Sequence, residues 1–307
     1  MKELNELYRR NVNIMKFLRE TNYSQINDLN SILYSYDLQA GNYRENYYHH
    51  YHRLAHIDNQ PVTLKFEEFY QLYGQKIAAV LDRLGYASIM EVGVGEAVTL
   101  AKVMKSLNNK KAVCKGVDIS FSRVAYGNVF LSEQGISGAA LGVGNMFELP
   151  LPDNSCDIVF TSHCIEPNTA KTRDAVGEMY RITRNYLVLI EPSYDLGNEE
   201  TKKHMQEHAY CTDLIEVIRE MNLKVIEHRL FEIGTYNNQA ALTIIQKEHN
   251  LISKASSNWA CPVCKNELAE EDGNYFCAEC SLIFPIIKKI PCLLKENGIL
   301  GSKYLDI

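Results

Sequence analysis

Residues 88–104 contain an acid and two glycines at a spacing that suits ligand binding. The stretch reads SIMEVGVGEAVTLAKVM, in which an apolar run reaches Glu91 and is followed by Gly93, Gly95 and a helix-like pattern. Glycines let a backbone turn tightly beneath a ligand at the carboxyl end of a parallel strand. A dinucleotide loop has a third glycine where this chain has Val98, so Glu91 suits a cationic amino group better than a diphosphate. A plain structural turn is the alternative.

Asp118 ends the next apolar run, AVCKGVDIS. A carboxylate at that position can accept two hydrogen bonds from ribose hydroxyls, as nicotinamide and adenosyl cofactors both require. Taken alone, Asp118 is equally well explained as the N-cap of a helix that begins near Ser122. Together with Glu91, it favours a ligand with a nucleoside part.

Four cysteines near the C-terminus have the spacing of metal ligands. They form two Cys-x-x-Cys pairs separated by twelve residues: Cys261, Cys264, Cys277 and Cys280. Four thiolates can surround one tetrahedral zinc ion, and a closed shell of four sulfurs leaves no position for a catalytic water. A module this small needs the metal's binding energy to fold. The sequence therefore predicts a structural zinc site, with a redox pair or an iron–sulfur cluster as the alternatives.

Histidine and tyrosine side chains supply the candidates for proton transfer and substrate contact. His163 follows the apolar run CDIVFTS, and imidazole titrates near neutral pH. His204 and His208 are four residues apart on one helix face, where His208 suits a substrate base, but the pair lacks a third ligand for a metal. Tyr43 lies in a stretch rich in Tyr and His, residues 34–60. The alternatives are a satisfied surface histidine and tyrosines that pack the N-terminal helices.

The elements that must position these residues alternate between short apolar runs and helical patterns. This alternation predicts a parallel sheet with helices on both faces. The last two runs, LKVIEHRLF and AALTIIQK, follow each other without room for a crossover helix and should pair antiparallel. The predicted fold class is therefore α/β, a doubly wound, mostly parallel, seven-stranded Rossmann-like sheet with an antiparallel last strand.

Changes in periodicity divide the chain into three predicted units. Residues 1–35 have helical periodicity, Pro61 precedes a helix from about Leu64 to Leu84, and a polar stretch at about 247–258 reads as a linker. The predicted units are an N-terminal helical lid (1–62), the α/β domain (63–248) and a small zinc-ribbon-like domain (249–307).

The segment GNMFELPLPDNSCDIVFTSHCIEPN, residues 144–168, resembles a motif of class I S-adenosylmethionine-dependent methyltransferases of the type 11-like kind. In that family a Leu-Pro pair and a Pro/Asp/Asn turn precede Phe-Asp and the fourth strand. The matching residues are Leu149, Pro150, Pro152, Asp153, Asn154 and Asp157. The glycine turn and Asp118 fall at the family's first two motifs, and the resemblance covers about residues 70–247.

This resemblance implies a role for each candidate residue. Glu91, Gly93 and Gly95 would cradle the methionine part of the cofactor, and Asp118 would hold the ribose. Further implied contacts are Asn145 and Met146 beside the adenine, and Tyr36 or Tyr43 in a lid beside the methyl donor. The sequence departs from the family at Asn145, which replaces the usual acid, at Cys156, where phenylalanine is common, and in RNYLVLIEP, which lacks paired glycines.

The cysteine-rich segment resembles the small zinc-binding subunit that activates tRNA and protein methyltransferases. That subunit has Cys-Pro-x-Cys, a second cysteine pair and a Tyr-Pro-Ile…Gly-Ile-Pro tail, which here reads FPIIKKIPCLL with Lys289 where glycine is usual. The resemblance implies a fused module that covers the catalytic domain or helps to hold substrate. An inert stabilising appendage is an equal alternative.

The composition narrows the function classes. The chain has 307 residues and 32 Lys and Arg against 38 Asp and Glu, a formal charge of −6, so no general basic field attracts nucleic acid, although a local basic patch is not excluded. No apolar stretch reaches the ~18 residues that span a bilayer, and the N-terminus lacks the pattern of an export signal. We therefore expect a cytoplasmic protein.

These observations predict an S-adenosylmethionine-dependent methyltransferase with a structural zinc. The acidic charge and the Tyr/His lid favour an enclosed pocket and a small-molecule acceptor, such as a sugar, a nucleotide sugar or another biosynthetic intermediate. One alternative is an RNA or protein methyltransferase that uses the zinc ribbon for recognition. Another is a non-catalytic scaffold that binds the cofactor or nothing.

Overall fold

The structure, a computed structural model, describes residues 1–248 and 258–306. Most of the predicted linker, residues 249–257, lies outside the described residues. The N-terminal region contains four helices: α1 (Lys2–Arg9), α2 (Ile14–Thr21), α3 (Leu29–Leu38) and α4 (Asn42–Tyr48). The periodicity over residues 1–35 is thus divided among three helices. The reason is capping, since the side chains of Asn13 and Asp28 accept backbone N–H bonds and begin new helices.

A hairpin follows α4 and was not predicted. Its strands are β1 (His52–Ile57) and β2 (Gln60–Lys65). The two-residue turn, Asp58 and Asn59, has φ of 47° and 65°, as a type I′ turn requires. Pro61 therefore lies inside β2, opposite His56, rather than directly before a helix.

The predicted helix after Pro61 begins two residues later than expected. It is α5 (Phe66–Leu84), and it ends at Gly85, whose φ of +73° places it in the left-handed region. Its apolar positions recur with helical spacing, so Tyr73 and Ile77 are almost fully buried against the sheet.

The central sheet has seven strands in the order β5-β4-β3-β6-β7-β10-β8. Its elements with their connections are β3 (Ser88–Val92), α6 (Val98–Ser106), β4 (Val113–Asp118), α7 (Phe121–Glu133), β5 (Ala139–Val143), β6 (Cys156–Ser162), α8 (Thr172–Ile182), β7 (Thr183–Pro192), α9 (Glu199–His208), α10 (Leu214–Glu220), β8 (Lys224–Leu230), β9 (Ile233–Thr235) and β10 (Ala240–Gln246). Only β10 runs against its neighbours β7 and β8. The predicted doubly wound, mostly parallel fold with an antiparallel last strand is confirmed.

A second sheet joins the N-terminal region to the α/β domain. The short strand β9 pairs antiparallel with β1, which gives the order β2-β1-β9. This pairing fixes the hairpin above the carboxyl ends of the central strands. Of the described helices, none has the length and apolarity needed to cross a membrane.

The C-terminal segment packs along β5, the edge of the central sheet. Its strands are β11 (Ala269–Glu271), β12 (Asn274–Cys277), β13 (Leu282–Ile287), β14 (Ile290–Pro291) and β15 (Ile299–Leu300). Cys292 forms a parallel bridge with Val143, and the Leu293 N–H donates to the Val143 carbonyl at 2.9 Å. The indole of Trp259 lies against Gly142 and is 5% exposed. The segment thereby covers an edge strand that would otherwise present unpaired backbone groups.

Candidate functional site

A cavity of about 300 Å³ lies at the carboxyl ends of β3, β4 and β6, beneath α3, α4 and β1. Strand ends on one edge of a doubly wound sheet are the usual place for a ligand. The structure brings together most of the predicted cofactor and catalytic residues in its wall: Tyr36, Tyr43, Glu91, Gly93, Gly95, Asp118, Asn145, Met146 and His163. His208 is the exception and does not line this cavity.

The turn after β3 depends on its first glycine. Gly93 has φ of +75°, and a Cβ built on it would lie 2.2 Å from the Cys164 Sγ. A side chain at this position would therefore be strained and would collide with the loop that follows β6. Backbone N–H groups of Gly93 and Val94 donate to the Val117 carbonyl at 2.8 and 2.9 Å, which ties the turn to β4.

Glu91 is an acid in the cavity wall whose carboxyl group is incompletely hydrogen-bonded. Its residue is 2% exposed, and its Oε2 has no hydrogen-bond partner among the described residues. Burial, together with the charge of Asp118, raises the pKa of Glu91 well above its usual range. A cationic group in the cavity would supply the missing partner, since an ammonium donates to a carboxylate.

Asp118 and Arg123 are two charged residues of the cavity wall that lie beside Gly95 in the glycine turn. The Asp118 oxygens accept the Gly95 and Ser120 N–H groups at 2.9 Å, and each oxygen keeps a further lone pair. Arg123, in the first turn of α7, is 9% exposed, and its Nε has no partner among the described residues. Sequence analysis missed Arg123, although its place in the helix that follows Asp118 was a usable signal.

Two carboxylates tie the N-terminal helices to the loops that line the cavity. Glu96 is 2% exposed and accepts backbone N–H groups of Gly41 and Arg44 at 3.0 Å, at the start of α4. Asp37, at the end of α3, accepts the Ser120 hydroxyl at 2.7 Å. Sequence analysis assigned no role to either acid, although Glu96 directly follows Gly95.

These ties place two tyrosines at the cavity. Tyr36 on α3 and Tyr43 on α4 stand over Arg123, whose Cζ lies 5.1 Å from each ring centroid. Burial raises the pKa of Tyr36 well above its usual range, so its hydroxyl stays protonated at neutral pH. Tyr36 therefore offers a neutral hydroxyl to a ligand, and the rings of both tyrosines line the cavity.

His163 belongs to a polar cluster at the end of β6. Its Nδ1 lies 3.1 Å from Glu166 Oε2, and Asn238 Nδ2 donates to the same oxygen at 3.2 Å. Burial lowers the pKa of His163, but the hydrogen bond and charge of Glu166 outweigh it, so the pKa is raised from 6.5. A carboxylate on Nδ1 fixes the tautomer and leaves Nε2 available to a ligand.

The loop that carries His163 is held by a buried acid of β7. Glu191 accepts the backbone N–H groups of Cys164 and Ile165 at 3.0 Å. Burial raises the pKa of Glu191 to about 7. His163 itself adopts a left-handed conformation, with φ of +55°, which the surrounding hydrogen bonds maintain.

Asn145 and Met146, which we predicted to lie beside the adenine, are in a tight turn after β5. The Asn145 Oδ1 accepts the Phe147 N–H at 3.1 Å, so one of its lone pairs is used within the protein and one remains. Met146 is half-buried beside it.

The structure does not place His208 where we predicted it. His204 reaches the cavity, whereas the His208 carbonyl accepts from the Arg19 Nη1 at 2.9 Å and from Asn27 at 3.2 Å. The end of α9 thus anchors the N-terminal helices, and the rings of His204 and His208 are tilted by 34° to each other, with centroids 4.2 Å apart. Helical spacing predicts that the two histidines share a helix face, but it does not show which of them reaches the cavity.

The four predicted metal ligands come together in the C-terminal segment. One sulfur from each of Cys261, Cys264, Cys277 and Cys280 lies within 4.8 Å of the others. Zn–S bonds are about 2.3 Å long, so a tetrahedral shell holds its sulfurs about 3.8 Å apart. The Cys280 N–H donates to the Cys277 Sγ at 3.4 Å, as commonly stabilises a thiolate ligand. The donor set fits a closed four-sulfur zinc site.

Residues 90–189 match a protein family described as a methyltransferase domain. Among curated proteins, ajmaline N-methyltransferase from Rauvolfia serpentina is 30% identical over 124 residues. That match covers 39% of this chain and 41% of the relative, so less than half of the relative's length is matched.

Solved structures share the fold over a larger part of the chain. Magnesium protoporphyrin IX methyltransferase from Synechocystis PCC 6803 gives a TM-score of 0.53 at 11% identity and covers 72% of this chain and 100% of its own. The [4+2]-cyclase SpnF gives 0.54 at 15% identity, covering 71% and 95%. Identity this low shows a common fold alone, and the presence of a cyclase means that the fold does not by itself assign the reaction.

Proposed function

We propose that this chain, whose residues 90–189 form an S-adenosylmethionine-dependent methyltransferase domain, methylates a small-molecule acceptor. One observation carries the cofactor assignment. Glu91 and Arg123 are both buried in the cavity wall, and each has a polar atom without a partner among the described residues. Their opposite charges match the ammonium and carboxylate of an amino acid, which is the tail of S-adenosylmethionine.

The remaining cofactor contacts follow from the same wall. Asp118 has lone pairs left for ribose hydroxyls, and Asn145 with Met146 borders the place for the adenine. Bound S-adenosylmethionine supplies an electrophilic methyl group on a sulfonium. The protein's contribution is mainly to align donor and acceptor, which lowers the entropic part of the barrier.

His163 is our candidate general base. Glu166 holds its Nδ1 in place, so Nε2 takes the proton that a hydroxyl or ammonium acceptor loses. Tyr43 and Tyr36, held over the cavity by α4 and α3, exclude water and line the methyl donor.

Two features favour a small acceptor. The N-terminal helices and the β1–β2 hairpin roof the cavity, and its wall is rich in aromatic side chains. Ajmaline N-methyltransferase and magnesium protoporphyrin IX methyltransferase, by their names, act on small molecules. A sugar, a nucleotide sugar or a biosynthetic intermediate remains the proposed acceptor, whereas an RNA would need an open basic surface.

The C-terminal segment is proposed to hold one structural zinc. Its contacts with β5 continue into the loop that borders the cavity, because Lys295 pairs with Glu148 at 2.6 Å. We therefore propose that residues 249–307 brace the domain of residues 63–248, and that residues 1–62 act as its lid.

Calorimetric titration with S-adenosylmethionine tests the proposal. We expect binding to the wild type and affinities roughly tenfold to a hundredfold weaker for Glu91→Gln and Asp118→Asn, since each loses a charged hydrogen-bond partner. Glu216→Gln, an exposed glutamate of α10, is the matched control and should bind as the wild type does. Binding that is absent, or unchanged in both site variants, would contradict the proposed function.

A further inference from the structure

Arg53 places a second guanidinium in the cavity wall without an acid beside it. It lies on β1, and among the described residues no carboxylate comes within 4.0 Å of it. By contrast, the surface arginines Arg83 and Arg173 pair with glutamates. Arg53 is half-buried, and a guanidinium partly removed from water is usually paired with an anion, so an unpaired one in a cavity wall favours an anionic ligand.

The surroundings of Arg53 hold its side chain in place but leave donors free. Its Cζ lies 5.1 Å from the Phe66 ring centroid, 4.9 Å from that of Phe69 and 5.7 Å from that of Tyr70. Aromatic ring faces attract the cation electrostatically, but they do not use its N–H groups as conventional hydrogen-bond donors. Nη1 donates to the Thr235 Oγ1 at 3.0 Å and the guanidinium also interacts with the Tyr70 hydroxyl, so three of its five N–H donors are left for a ligand. The guanidinium is thus preorganised to bind an oxyanion.

Arg53 lies at the acceptor end of the cavity rather than at the cofactor end. Its partner Thr235 ends β9, and Asn238, three residues further on, contacts both Glu166 and His163. Arg123, in contrast, stands beside the glycine turn, 2.9 Å from the position of a Cβ on Gly95. The two arginines therefore serve different parts of the cavity.

We propose that the methyl acceptor is an organic acid whose carboxylate or phosphate binds Arg53 while its hydroxyl or amino group faces His163. The rings of Phe69, Tyr70 and Tyr73 also line the cavity, where they suit an apolar or planar skeleton. This inference rests on the proposed function, because it takes the space beside His163 as the acceptor site.

Binding of small probes to the full chain, saturated with S-adenosylhomocysteine, tests this inference without knowledge of the acceptor. The probes are benzoate, phenyl phosphate and benzylamine, followed by ligand-observed NMR at millimolar concentrations. We expect one or both acids to bind and the amine not to bind, and the better acid identifies the oxyanion. Arg53→Gln should weaken acid binding by about tenfold to a hundredfold, and Arg53→Lys by less.

Arg83→Gln, which removes a surface arginine paired with Glu227, is the control and should bind the acids as the wild type does. The affinity of each variant for S-adenosylhomocysteine, measured first, reports both folding and the cofactor site. Three results would overturn this inference and leave the proposed function standing, provided that the wild type still binds the cofactor. They are no acid binding to the wild type, equal acid binding to the wild type and Arg53→Gln, and a preference for the amine. Failure of the wild type to bind the cofactor would overturn the proposed function itself.

Discussion

Replacing Glu91 by glutamine should stabilise the empty protein while weakening its cofactor binding. The wild-type carboxyl is 2% exposed, and its Oε2 lacks a partner among the described residues. Its pKa is raised by burial and by the charge of Asp118, so the folded protein holds a proton that the unfolded chain releases at lower pH. Stability must therefore fall as the pH rises above the unfolded value of about 4.5.

The size of the expected stability change follows from the Oε2 atom of Glu91, which has no hydrogen-bond partner among the described residues. A buried acceptor without a partner costs about 1–3 kcal/mol, and the cost is greater for a charged one. The glutamine amide still needs partners but carries no charge, so we expect Glu91→Gln to raise the free energy of unfolding by about 1 kcal/mol at pH 8. The difference should shrink as the pH falls below about 4.5, where the wild-type carboxyl becomes protonated in both the folded and the unfolded state.

Urea unfolding of the cofactor-free protein between pH 4 and pH 8 measures this difference. Glu216→Gln, at an exposed position of α10, should leave stability unchanged at each pH. The same samples with saturating S-adenosylmethionine should show the opposite order, with the wild type gaining more stability than the variant. A Glu91→Gln protein that is less stable than the wild type at pH 8, or whose difference does not depend on pH, would refute the reasoning.

Three further predictions concern the turn, the histidine and the metal. In urea unfolding, Gly93→Ala should lower the free energy of unfolding by roughly 2–4 kcal/mol, because the alanine is strained in the left-handed region and its Cβ would lie 2.2 Å from the Cys164 Sγ. Adding Cys164→Gly to this variant should restore part of the lost stability. In an NMR titration His163 should have a pKa above 6.5, and Glu166→Gln should lower it, because that variant removes the raising charge. Metal analysis should find one zinc per chain, and Cys277→Ala should lose zinc and melt at lower temperature, whereas Cys114→Ala, outside the cluster, should keep it.

A different result would contradict each of these three predictions. A Gly93→Ala protein as stable as the wild type would show that the loop after β6 yields without cost. A His163 pKa unchanged by Glu166→Gln would remove the basis for a positioning role of that glutamate. Less than about one equivalent of zinc in the wild type would contradict the ribbon.

The sequence predicted those parts of the site that are set by local chain geometry. Glu91 and Asp118 are found because each ends a parallel strand, and the carboxyl ends of neighbouring parallel strands meet at one edge of the sheet. The four cysteines are found because their spacing alone defines the ligand set. In both cases the informative residues lie close together in the chain.

The missed features depend on contacts between distant segments. The outer edge of strand β5 is covered by the C-terminal segment, a contact that was not predicted. The role of Glu96 depends on α4, and that of Arg53 on the pairing of β1 with β9. The contacts of Glu96 and Arg53 have no local sequence signal, because they form only when the N-terminal region folds back over the sheet.

A crystal structure of the full chain with S-adenosylhomocysteine tests the central claim most directly. We predict the product in the cavity, with its amino group hydrogen-bonded to Glu91, its carboxylate to Arg123 and its ribose to Asp118, and with His163 and Arg53 around the space beside its sulfur. A product bound elsewhere, or one whose amino and carboxylate groups contact neither Glu91 nor Arg123, would contradict the account.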